Sequence, residues 1–462
     1  MMWTPDLEHY KGPRYTAIAD AMADAIKSGE LNDGDRLPTH RALADQLGVT
    51  VGTITRAYTE AERRGFVNAR VGRGTFIATQ HTQGQRFRIP GEAEPNAVDL
   101  RLNLPVAKDR ADVLSKAMAE LAAEPEQMNR LLGYQPDIGL PEHREQAVNW
   151  LKQTGLHTSA DQIAITNGGQ HGIMLTLLAL TRPGDIILSE AMTYPGFMAV
   201  THQLHLRPQP VAMDEEGVIP SAFEDACKQF SPRILYCTPT LQNPTNAIMS
   251  EIRREALADV ARRYNVWIIE DSVNSNLISE APTPLAEIAP DKVIHINSAS
   301  KTLAAGLRVG WLVSPPEVRQ QIANALRASC WMTSPLLAEI ASRWISSGLA
   351  QTLLEQQKEE LTQRNLLLDQ YLGPYGLQSN PYSLHAWLEL PELWRSSEFI
   401  AAADKENVKV IGEDSFIVAQ YRAPQAIRLS SSCAWSLNHL EKGLKVLARL
   451  LQEEPQPTLS VF

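Results

Sequence analysis

The chain has 462 residues, 44% of them hydrophobic and 21% charged, which is enough for two or three globular domains with a large buried core. Its formal net charge of −10 argues by itself against nucleic acid as a partner. The longest apolar run is too short to span a bilayer, and the four cysteines are too far apart for a zinc site or a dense disulfide framework. We therefore expect no signal peptide, a cytoplasmic location, no membrane partner and no metal site.

The charges are unevenly distributed along the chain. Residues 1–80 contain ten basic and ten acidic residues, so the rest of the chain carries the whole negative excess. Between Arg36 and Arg73 there are seven arginines and three acidic residues. A local basic surface can bind phosphates even on an acidic protein. This segment is therefore the candidate for contact with nucleic acid.

Three helices are predicted in the first 80 residues. The first covers about residues 14–28, where apolar side chains recur at helical spacing until Gly29. Thr39 can cap a short second helix that ends at Gly48, and Thr50 can cap a longer third helix. The predicted inner stripe of the third helix is Val51, Ile54, Tyr58 and Ala61. A short helix, a turn and a longer helix predict a helix-turn-helix.

A β-hairpin is predicted directly after the third helix. Residues 67–71 and 75–77 alternate in character and meet at Gly72-Arg73-Gly74, which places Arg73 to enter a minor groove or contact a phosphate. The other candidate DNA-binding residues lie on the outward face of the third helix or beside it: Arg36, Arg41, Thr50, Thr53 and Arg56. The same pattern also fits a small helical bundle with a solvated polar face.

The helices and hairpin, with the segments LPTHRALADQLGV and TVGTITRAYTEAERRGF, resemble the winged helix-turn-helix of the GntR regulator family. The resemblance implies that residues 1–78 bind double-stranded DNA. One departure is His40, where the family more often has a small hydroxyl residue. Residues 79–96 are rich in Gln, Gly and Pro and predict a linker to a domain at 97–462.

From about residue 97, apolar runs alternate with helical stretches. Strands are predicted at 163–166, 186–189, 234–237, 267–270, 293–296 and 309–313. This alternation predicts an α/β domain with a mainly parallel sheet covered on both faces, whose ligands bind at the carboxyl ends of the strands. A long helical run at about 315–371 is predicted to lead to a small C-terminal subdomain at about 372–450.

The stretch SASKTLAAGLRVGW, residues 298–311, carries the strongest chemical signal. An apolar setting lowers the pKa of a lysine such as Lys301 and makes its amine nucleophilic. Ser298, Ser300 and Arg308 could bind a phosphate close by. Such a set can hold an aldehyde-and-phosphate cofactor as a Schiff base. The alternative is a strand–loop–strand with a solvated lysine.

This stretch resembles the cofactor-lysine motif of fold-type I aminotransferases, which bind pyridoxal 5′-phosphate (PLP). The resemblance implies that PLP is attached to Lys301, with Asp271 at the pyridine nitrogen. It also implies that Asn243, in Asn243-Pro244-Thr245, donates to the phenolate oxygen and that Tyr194 stacks on the ring.

Further residues follow from the same resemblance. Gly168-Gly169-Gln170, at the start of a helix, is similar to the segment that binds the PLP phosphate. Tyr134 is similar to a residue that reaches the phosphate from the neighbouring subunit, which implies a homodimer with shared sites. Arg428, in the segment AIRLS, is similar to the arginine that binds a substrate carboxylate.

Three positions depart from the aminotransferase pattern. Gly169 stands where many members have a hydroxyl residue, and Asn246 stands where a glycine usually follows the Asn-Pro-Thr turn. Asn tolerates positive φ better than most residues, so the turn is expected to persist. Val273 stands where a tyrosine is common and cannot donate a hydrogen bond, which argues against vigorous transamination.

Together, the two signatures resemble the MocR group of GntR regulators. This implies a PLP-dependent DNA-binding transcriptional regulator that senses an amine, an amino acid or PLP itself through a Schiff base on Lys301. One alternative is a PLP-dependent aminotransferase with an accessory N-terminal domain and weak transaminase activity. Another is a PLP-binding fold that has lost its cofactor.

Overall fold

The computed structural model describes residues 3–7, 10, 12–32, 35–63, 66–70, 74–77, 97–106, 110–419 and 421–453. The chain divides into two compact units, Met1–Ile89 and Pro90–Phe462. The predicted linker 79–96 and the predicted wing-tip Arg73 lie outside the described residues. The boundary at 78 therefore stays a prediction.

The N-terminal unit contains the predicted helix-turn-helix and hairpin. Its elements are α1 (Arg14–Ser28), α2 (His40–Leu47), α3 (Val51–Arg63), β1 (Val67–Arg70) and β2 (Gly74–Ile77). Gly29 and Gly48 end the first two helices with left-handed backbone at φ 78° and 61°. The Thr39 side chain caps α2 by accepting a hydrogen bond from the amide of Ala42. Local signals thus determined these helix ends.

The core of this unit corrects one position in the predicted stripe of α3. Ile54, Tyr58 and Ala61 are buried as predicted, and Ala57 completes the stripe. Val51 is instead 43% exposed, because the buried stripe begins one turn later. Residues 35–37 also lie along β2: the Leu37 amide donates to Thr75 O at 2.9 Å and the Ile77 amide to Asp35 O at 2.8 Å. The sequence did not predict this third edge of the wing.

The larger unit contains short and long strands. In chain order they are β3 (Val98–Asp99), β4 (Ile163–Thr166), β5 (Ile186–Glu190), β6 (Arg207–Val211), β7 (Met213–Asp214), β8 (Gly217–Val218), β9 (Ile234–Cys237), β10 (Trp267–Asp271), β11 (Val293–Ser298), β12 (Gly310–Val313), β13 (Ala386–Glu389), β14 (Val408–Lys409), β15 (Ile411–Gly412) and β16 (Ala426–Leu429).

Helices surround these strands and form the C-terminal end of the described chain. They are α4 (Arg110–Ala122), α5 (Pro125–Leu132), α6 (Pro141–Lys152), α7 (Gly169–Leu180), α8 (Pro195–Gln203), α9 (Pro220–Phe230), α10 (Glu251–Tyr264), α11 (Leu285–Ile288), α12 (Pro316–Cys330), α13 (Pro335–Ser346), α14 (Leu349–Leu372), α15 (Ser396–Lys405) and α16 (Leu437–Gln452). None of the described helices combines the length and apolar character needed to cross a bilayer. The helical run predicted at 315–371 is divided into α12, α13 and α14.

A seven-stranded sheet forms the centre of the larger unit, in the order β4-β12-β11-β10-β9-β5-β6. Only β12 runs antiparallel to its neighbours β11 and β4. Most of the strand residues are buried, since apolar clusters cover both faces of the sheet. The prediction of a mainly parallel, doubly covered sheet is confirmed, and it brings the carboxyl ends of β5, β9, β10 and β11 to one edge.

The C-terminal subdomain contains an antiparallel sheet in the order β13-β16-β15, packed against α15 and α16. The first strand of the larger unit, β3, also belongs to this subdomain, because it pairs in parallel with β14 in a separate two-stranded sheet. Val98 packs so closely on α16 that a Cβ on Gly443 would lie 2.7 Å from Val98 Cγ1. The sequence predicted the C-terminal subdomain but did not predict that a strand from the start of the larger unit packs in it.

Candidate functional site

Lys301 lies in the loop that joins β11 to β12. Its Nζ donates a hydrogen bond to the carbonyl oxygen of Asn103 at 2.7 Å. Burial lowers the pKa of Lys301 to about 8, and the positive charge of Arg428 acts in the same direction. About a tenth of the amine is therefore neutral at pH 7, far more than for a lysine with the usual pKa, and the neutral amine is the nucleophile.

The two serines before Lys301 are held against each other. Ser298 Oγ lies 3.0 Å from Ser300 Oγ and donates to Val309 O at 3.0 Å. The Ser300 amide donates to Ser298 Oγ at 3.2 Å. Both hydroxyls are thereby fixed at the carboxyl end of β11, the edge where ligands bind in such sheets.

Gly168 and Arg308 form an anion-binding corner. Gly168 caps α7 with φ 85°, a backbone conformation that favours glycine. Arg308 Nη2 donates to Asn167 O at 3.0 Å, and a Cβ on Gly168 would lie 2.7 Å from this nitrogen. Amides at the start of a helix and a guanidinium both favour anions, so the corner suits a phosphate.

Two departures from the aminotransferase pattern meet in one contact. A Cβ on Gly169 would lie 2.9 Å from Val273 Cγ1, closer than real Cβ contacts allow. A hydroxyl-bearing side chain at 169 would therefore require Val273 to move. The glycine and the valine form a matched pair, which leaves the backbone amides and Arg308 as the anion-binding groups.

Asp271 ends β10 and is buried at the base of the site. Its carboxylate accepts hydrogen bonds from Tyr236 Oη at 2.6 Å and from the Val273 amide at 3.3 Å. Burial raises the pKa of Asp271, while the Tyr236 hydrogen bond opposes that rise. Tyr236 is itself held by Phe197 of α8, whose ring stacks on it at 4.1 Å between centroids. A cation beside Asp271 would relieve the cost of its burial.

Tyr194 lies directly before α8, half-buried, with its pKa raised to about 12 by burial. Gly196 is needed beside it, because a Cβ there would lie 2.4 Å from the Tyr194 ring. Gln170 Nε2 donates to Gly196 O at 2.8 Å, which ties the Tyr194 turn to the first turn of α7. The sequence-predicted residues Gln170 and Tyr194 thus share one local arrangement.

Asn243 and Arg428 are joined directly. Arg428 Nη1 donates to Asn243 Oδ1 at 2.9 Å, and Arg428 Nη2 donates to the carbonyl oxygen of Arg101. The guanidinium lies 5.1 Å from the centroid of the Phe416 ring. Burial lowers the pKa of Arg428 to about 10, so it stays charged at neutral pH. Its Nε is buried without a hydrogen-bond partner among the described residues.

Asn246 replaces the usual glycine without disrupting the turn. It adopts φ 66°, and its Nδ2 donates to His385 O at 2.8 Å. Ser383 Oγ donates to Asn246 Oδ1 at 2.6 Å. The asparagine therefore provides the left-handed backbone and also ties the turn to the C-terminal subdomain.

Residues 97–106, which no sequence signal assigned to the site, also contact it, and we call them the entry segment because they follow the predicted linker. Its carbonyl groups contact two predicted site residues: Asn103 O accepts from Lys301, and Arg101 O accepts from Arg428. The entry segment therefore contacts both site residues through its main chain.

His385 and Gln357 anchor the entry segment and were also missed. His385 accepts at Nδ1 from Asn103 Nδ2 at 2.9 Å and donates from Nε2 to Gln242 O at 3.1 Å, which fixes its neutral tautomer. Burial lowers the pKa of His385 to about 3. Gln357 accepts from the Val106 amide and donates to Lys301 O at 2.6 Å. No local signal marks these residues, since their partners are distant in sequence.

Tyr134 does not join the other predicted site residues within one chain. It is 84% exposed, and its ring centroid lies 6.0 Å from that of Trp331, which is itself 59% exposed. Leu132 beside it is 76% exposed. All three side chains are exposed at the surface of the larger unit, and the Tyr134 and Trp331 rings contact each other.

The predicted DNA-binding residues lie on the surface of the N-terminal unit. Arg36, Arg41 and Arg56 are exposed and form no ion pair with any described acidic residue. Thr50 caps α3 by accepting from the Thr53 amide at 3.2 Å, and the two hydroxyl oxygens lie 2.9 Å apart. Arg56 on α3, Arg41 on α2 and Arg36 before α2 are thus exposed without a described acidic partner, and the start of α3 presents two linked hydroxyls.

His40 contributes to packing between α2 and α3. Its ring meets Tyr58 edge-on at 4.9 Å between centroids, and its Nδ1 lies 3.2 Å from Thr55 Oγ1. Burial lowers the pKa of His40. The departure from a small hydroxyl residue therefore has a packing explanation.

Residues 98–447 match the family of class I and II aminotransferases, and residues 14–77 match the bacterial regulatory proteins of the gntR family. The HTH-type transcriptional regulator YdeF of Bacillus subtilis is 32% identical over 454 residues, which cover 98% of this chain and 97% of YdeF. This chain belongs to the MocR group of GntR regulators. The regulator is also 27% identical to YisV, another HTH-type transcriptional regulator of B. subtilis, over 94% of this chain and 95% of YisV.

Solved structures show the same fold in the larger unit of the regulator. Kynurenine aminotransferase of Pyrococcus horikoshii superposes with a TM-score of 0.72 at 21% identity, covering 81% of this chain and 98% of that one. An archaeal alanine:glyoxylate aminotransferase superposes with a TM-score of 0.70 at 25% identity, covering 80% and 93%. The predicted fold-type I aminotransferase architecture is confirmed.

The cofactor of this aminotransferase domain is pyridoxal 5′-phosphate. The residues present fit it: Gly168 and Arg308 form a corner for the phosphate that any added Cβ would fill. Asp271 is a buried carboxylate that forms no ion pair with a described side chain, so it suits a protonated pyridine nitrogen as its partner. Lys301 provides an amine with a lowered pKa.

Proposed function

We propose that the regulator attaches PLP to Lys301 through an imine and senses an amine or amino acid, or PLP itself, at this site. Occupancy of the site then changes how the N-terminal unit binds DNA. The observation that carries the proposal is that one chain contains both a winged helix-turn-helix with exposed surface arginines and the Lys301, Asp271 and Arg428 arrangement.

Each residue has a distinct proposed role toward the cofactor. Bound PLP supplies an electrophilic carbon and an electron-withdrawing ring. Asp271 holds the proton at the pyridine nitrogen, and Tyr194 covers the ring. Asn243 uses its Oδ1 to accept from Arg428, which leaves its amide N–H group to donate to the phenolate oxygen.

The phosphate and the effector are bound at opposite ends of this set. Gly168, Gly169 and Gln170, together with Ser298, Ser300 and Arg308, bind the phosphate in our proposal. Arg428 binds an effector carboxylate, since its buried Nε has no partner among the described residues and lies on the same edge of the guanidinium as Nη2. A carboxylate on that edge competes with Arg101 O for Nη2.

The entry segment offers a route from this site toward the linker. A ligand that binds the Lys301 amine and the Arg428 guanidinium must break two hydrogen bonds, from Lys301 to Asn103 O and from Arg428 to Arg101 O. The segment continues in sequence into the predicted linker 79–96. We propose that release of these bonds couples the site to DNA binding, typically with about 1–3 kcal/mol of coupling free energy.

In the N-terminal unit, Arg36, Arg41 and Arg56, with the predicted wing-tip Arg73, are proposed to contact phosphates or groove edges. Thr50 and Thr53 lie where the start of α3 approaches the major groove, and their hydroxyls are proposed to contact phosphates or bases. We also propose a homodimer. The exposed side chains of Leu132, Tyr134 and Trp331 support it, since exposed apolar surface marks interfaces.

A PLP-dependent aminotransferase remains the second candidate. The set of Lys301, Asp271 and Arg428 favours it, whereas Val273 cannot assist proton transfer at the phenolate oxygen. Rapid turnover of an amino acid with a 2-oxo acid would support the enzyme. Turnover that is absent or very slow, with operator binding intact, supports the regulator.

The deciding experiment titrates PLP-loaded protein against DNA from upstream of its own gene, at two salt concentrations, with unrelated DNA as the control. Tight binding that survives competitor DNA is the expected result. Equally weak binding to both DNAs that salt abolishes would show only phosphate attraction and would contradict the proposal for that operator.

A further inference from the structure

Glu190 is a buried carboxyl group for which the proposed function has no role. It is the last residue of β5 and has no solvent exposure. Burial raises the pKa of Glu190 to about 8, with the Thr238 amide opposing the rise. Among the described side chains it has hydrogen-bond donors but no cation partner. Retaining such a group in a core is costly, so it needs a reason.

Strand register shows that Glu190 does not face the cofactor. Ser189 pairs with Tyr236 and Glu270 pairs with Cys237, so Glu190, Cys237 and Glu270 form one row across three strands. Side chains in a row share a face, and the next row, with Asp271, points to the opposite face. Glu190 therefore acts through other residues.

The two carboxylate oxygens bind two different loops. Oε1 accepts from the amide of Thr238 at 2.8 Å, and Oε2 accepts from the hydroxyl of Thr193 at 3.3 Å. Thr193 directly precedes Tyr194, and Thr238 opens the loop that leads to Asn243. One side chain thus joins the loops that carry two proposed cofactor-binding residues.

Gln242 strengthens the same connection. Its Nε2 donates to Met192 O at 2.8 Å, in the Tyr194 loop, and its Oε1 accepts from the Thr245 amide at 2.9 Å, in the Asn243 loop. The Gln242 side chain also acts to lower the pKa of Glu190, against the effect of burial. The carboxyl group of Glu190 and the amide of Gln242 are therefore two buried connections between the same two loops.

We propose that Glu190 is a positioning residue that fixes the spacing between the Tyr194 loop and the Asn243 loop, and so the gap that receives the pyridine ring. This inference rests on the proposed roles of Tyr194 and Asn243. Glu190 touches neither the cofactor nor an effector. Its effect reaches the ring only through Thr193 and Thr238.

The test compares Glu190→Ala and Glu190→Gln with the full-length wild type. PLP affinity is measured by titration of the apoprotein, and the pH midpoint of the bound cofactor's visible absorbance is measured alongside the melting temperature. We expect Glu190→Ala to weaken PLP binding by about tenfold or more, because two hydrogen bonds are lost. The absorbance midpoint should rise, since a displaced Asn243 stabilises the negative phenolate oxygen less.

Glu190→Gln should restore affinity to within about threefold of wild type, because the amide keeps the acceptor for Thr238 and can donate to Thr193. A Gln variant as weak as the Ala variant would contradict positioning. So would a folded Ala variant with a lower melting temperature but unchanged PLP affinity and absorbance midpoint, because that is the result of a purely structural role.

If Glu190→Ala fails to fold, Thr193→Val decides, because it removes a single hydroxyl donor to Glu190. It should weaken PLP binding by a few fold, about the effect of one neutral hydrogen bond. The matched control is Thr201→Val, a buried threonine of α8 whose hydroxyl donates to Met198 O at 2.8 Å and does not contact Glu190. Equal effects from both valine variants would overturn the inference.

Failure of the proposed function is recognised separately. Wild-type protein that lacks the visible cofactor band, or keeps the band in Lys301→Ala, would contradict attachment at Lys301 before any Glu190 variant is compared. With that band present and dependent on Lys301, the Glu190 series tests positioning alone.

Discussion

The proposed DNA-binding surface and the cofactor site are built in opposite ways. The surface uses exposed arginines and hydroxyls on α3 and beside it, drawn from a short stretch of chain. The cofactor site uses buried Lys301, Asp271 and Arg428, which come from distant parts of the sequence. Exposed residues act nearly independently, whereas buried ones shift each other's pKa. Substitutions should therefore have separable effects on the surface and coupled effects in the site.

The largest expected effect comes from Lys301→Ala. The visible absorbance of attached PLP should be lost completely, because Lys301 is the amine among the described residues that lies with Asp271 and Arg428. Absorbance spectroscopy of PLP-treated protein checks this. Circular dichroism and binding to unrelated DNA serve as controls and should be unchanged. Loss of both cofactor and general DNA binding would break the proposed separation of surface and site.

The next effect concerns the pH dependence of PLP attachment. The pKa of Lys301 is lowered to about 8, so the neutral, nucleophilic fraction of the amine falls as pH decreases below that value. The attachment rate should rise about tenfold per pH unit below about pH 7 and level off above about pH 9. Stopped-flow absorbance of apoprotein mixed with PLP measures this profile.

Arg428→Gln sharpens this test. The charge of Arg428 lowers the pKa of Lys301, so its removal should move the midpoint of the rate profile to higher pH. An unchanged midpoint would show that burial alone sets the pKa and that the buried groups are less coupled than we infer.

Arg56→Ala tests the independence of the surface residues. It should weaken operator binding by about tenfold and reduce the salt slope by about one, while PLP affinity stays the same. Fluorescence anisotropy at several salt concentrations gives both quantities. Arg14→Ala, an exposed arginine at the start of α1, is the matched control and should have little effect. A parallel fall in PLP affinity would count against separate roles.

Gly169→Ala tests coupling within the site. The new Cβ would lie 2.9 Å from Val273 Cγ1, so the free energy of unfolding should fall by about 1–3 kcal/mol through overpacking. Val273→Ala in the same chain should recover most of this loss. Urea unfolding of the two single variants and the double variant measures the interaction. Purely additive effects would show that the two positions do not form a matched pair.

The smallest effect is expected from Ser432→Ala, which removes the acceptor for the Leu104 amide of the entry segment at 3.3 Å. The ratio of operator affinities with and without PLP should change by a few fold, since a single weak hydrogen bond is lost. Ser431→Ala is the matched control, because Ser431 is buried beside it and contacts Leu384 O instead. Equal ratios of operator affinity in the Ser432→Ala and Ser431→Ala variants would show that the entry segment does not couple the cofactor site to DNA binding.

Local chemistry in the sequence determined many of the elements. Apolar spacing and a following glycine defined α1, and capping threonines marked the starts of α2 and α3. Continuous apolar runs located the central strands, since strands buried on both faces need no polar alternation. The pattern around Lys301 indicated the cofactor family, because the lysine, serines and arginine lie within one short loop.

Tertiary structure alone decided how distant segments meet. The pairing of β3 with β14, the contact of Gly169 with Val273, and the bonds of Asn103 and Glu190 all join residues from separate elements. The prediction that Val51 lies in the buried stripe of α3 was wrong, because periodicity shows which face of a helix is apolar but not how far the neighbouring elements cover that face. Such contacts depend on strand register and on the packing of whole elements, which no local pattern encodes.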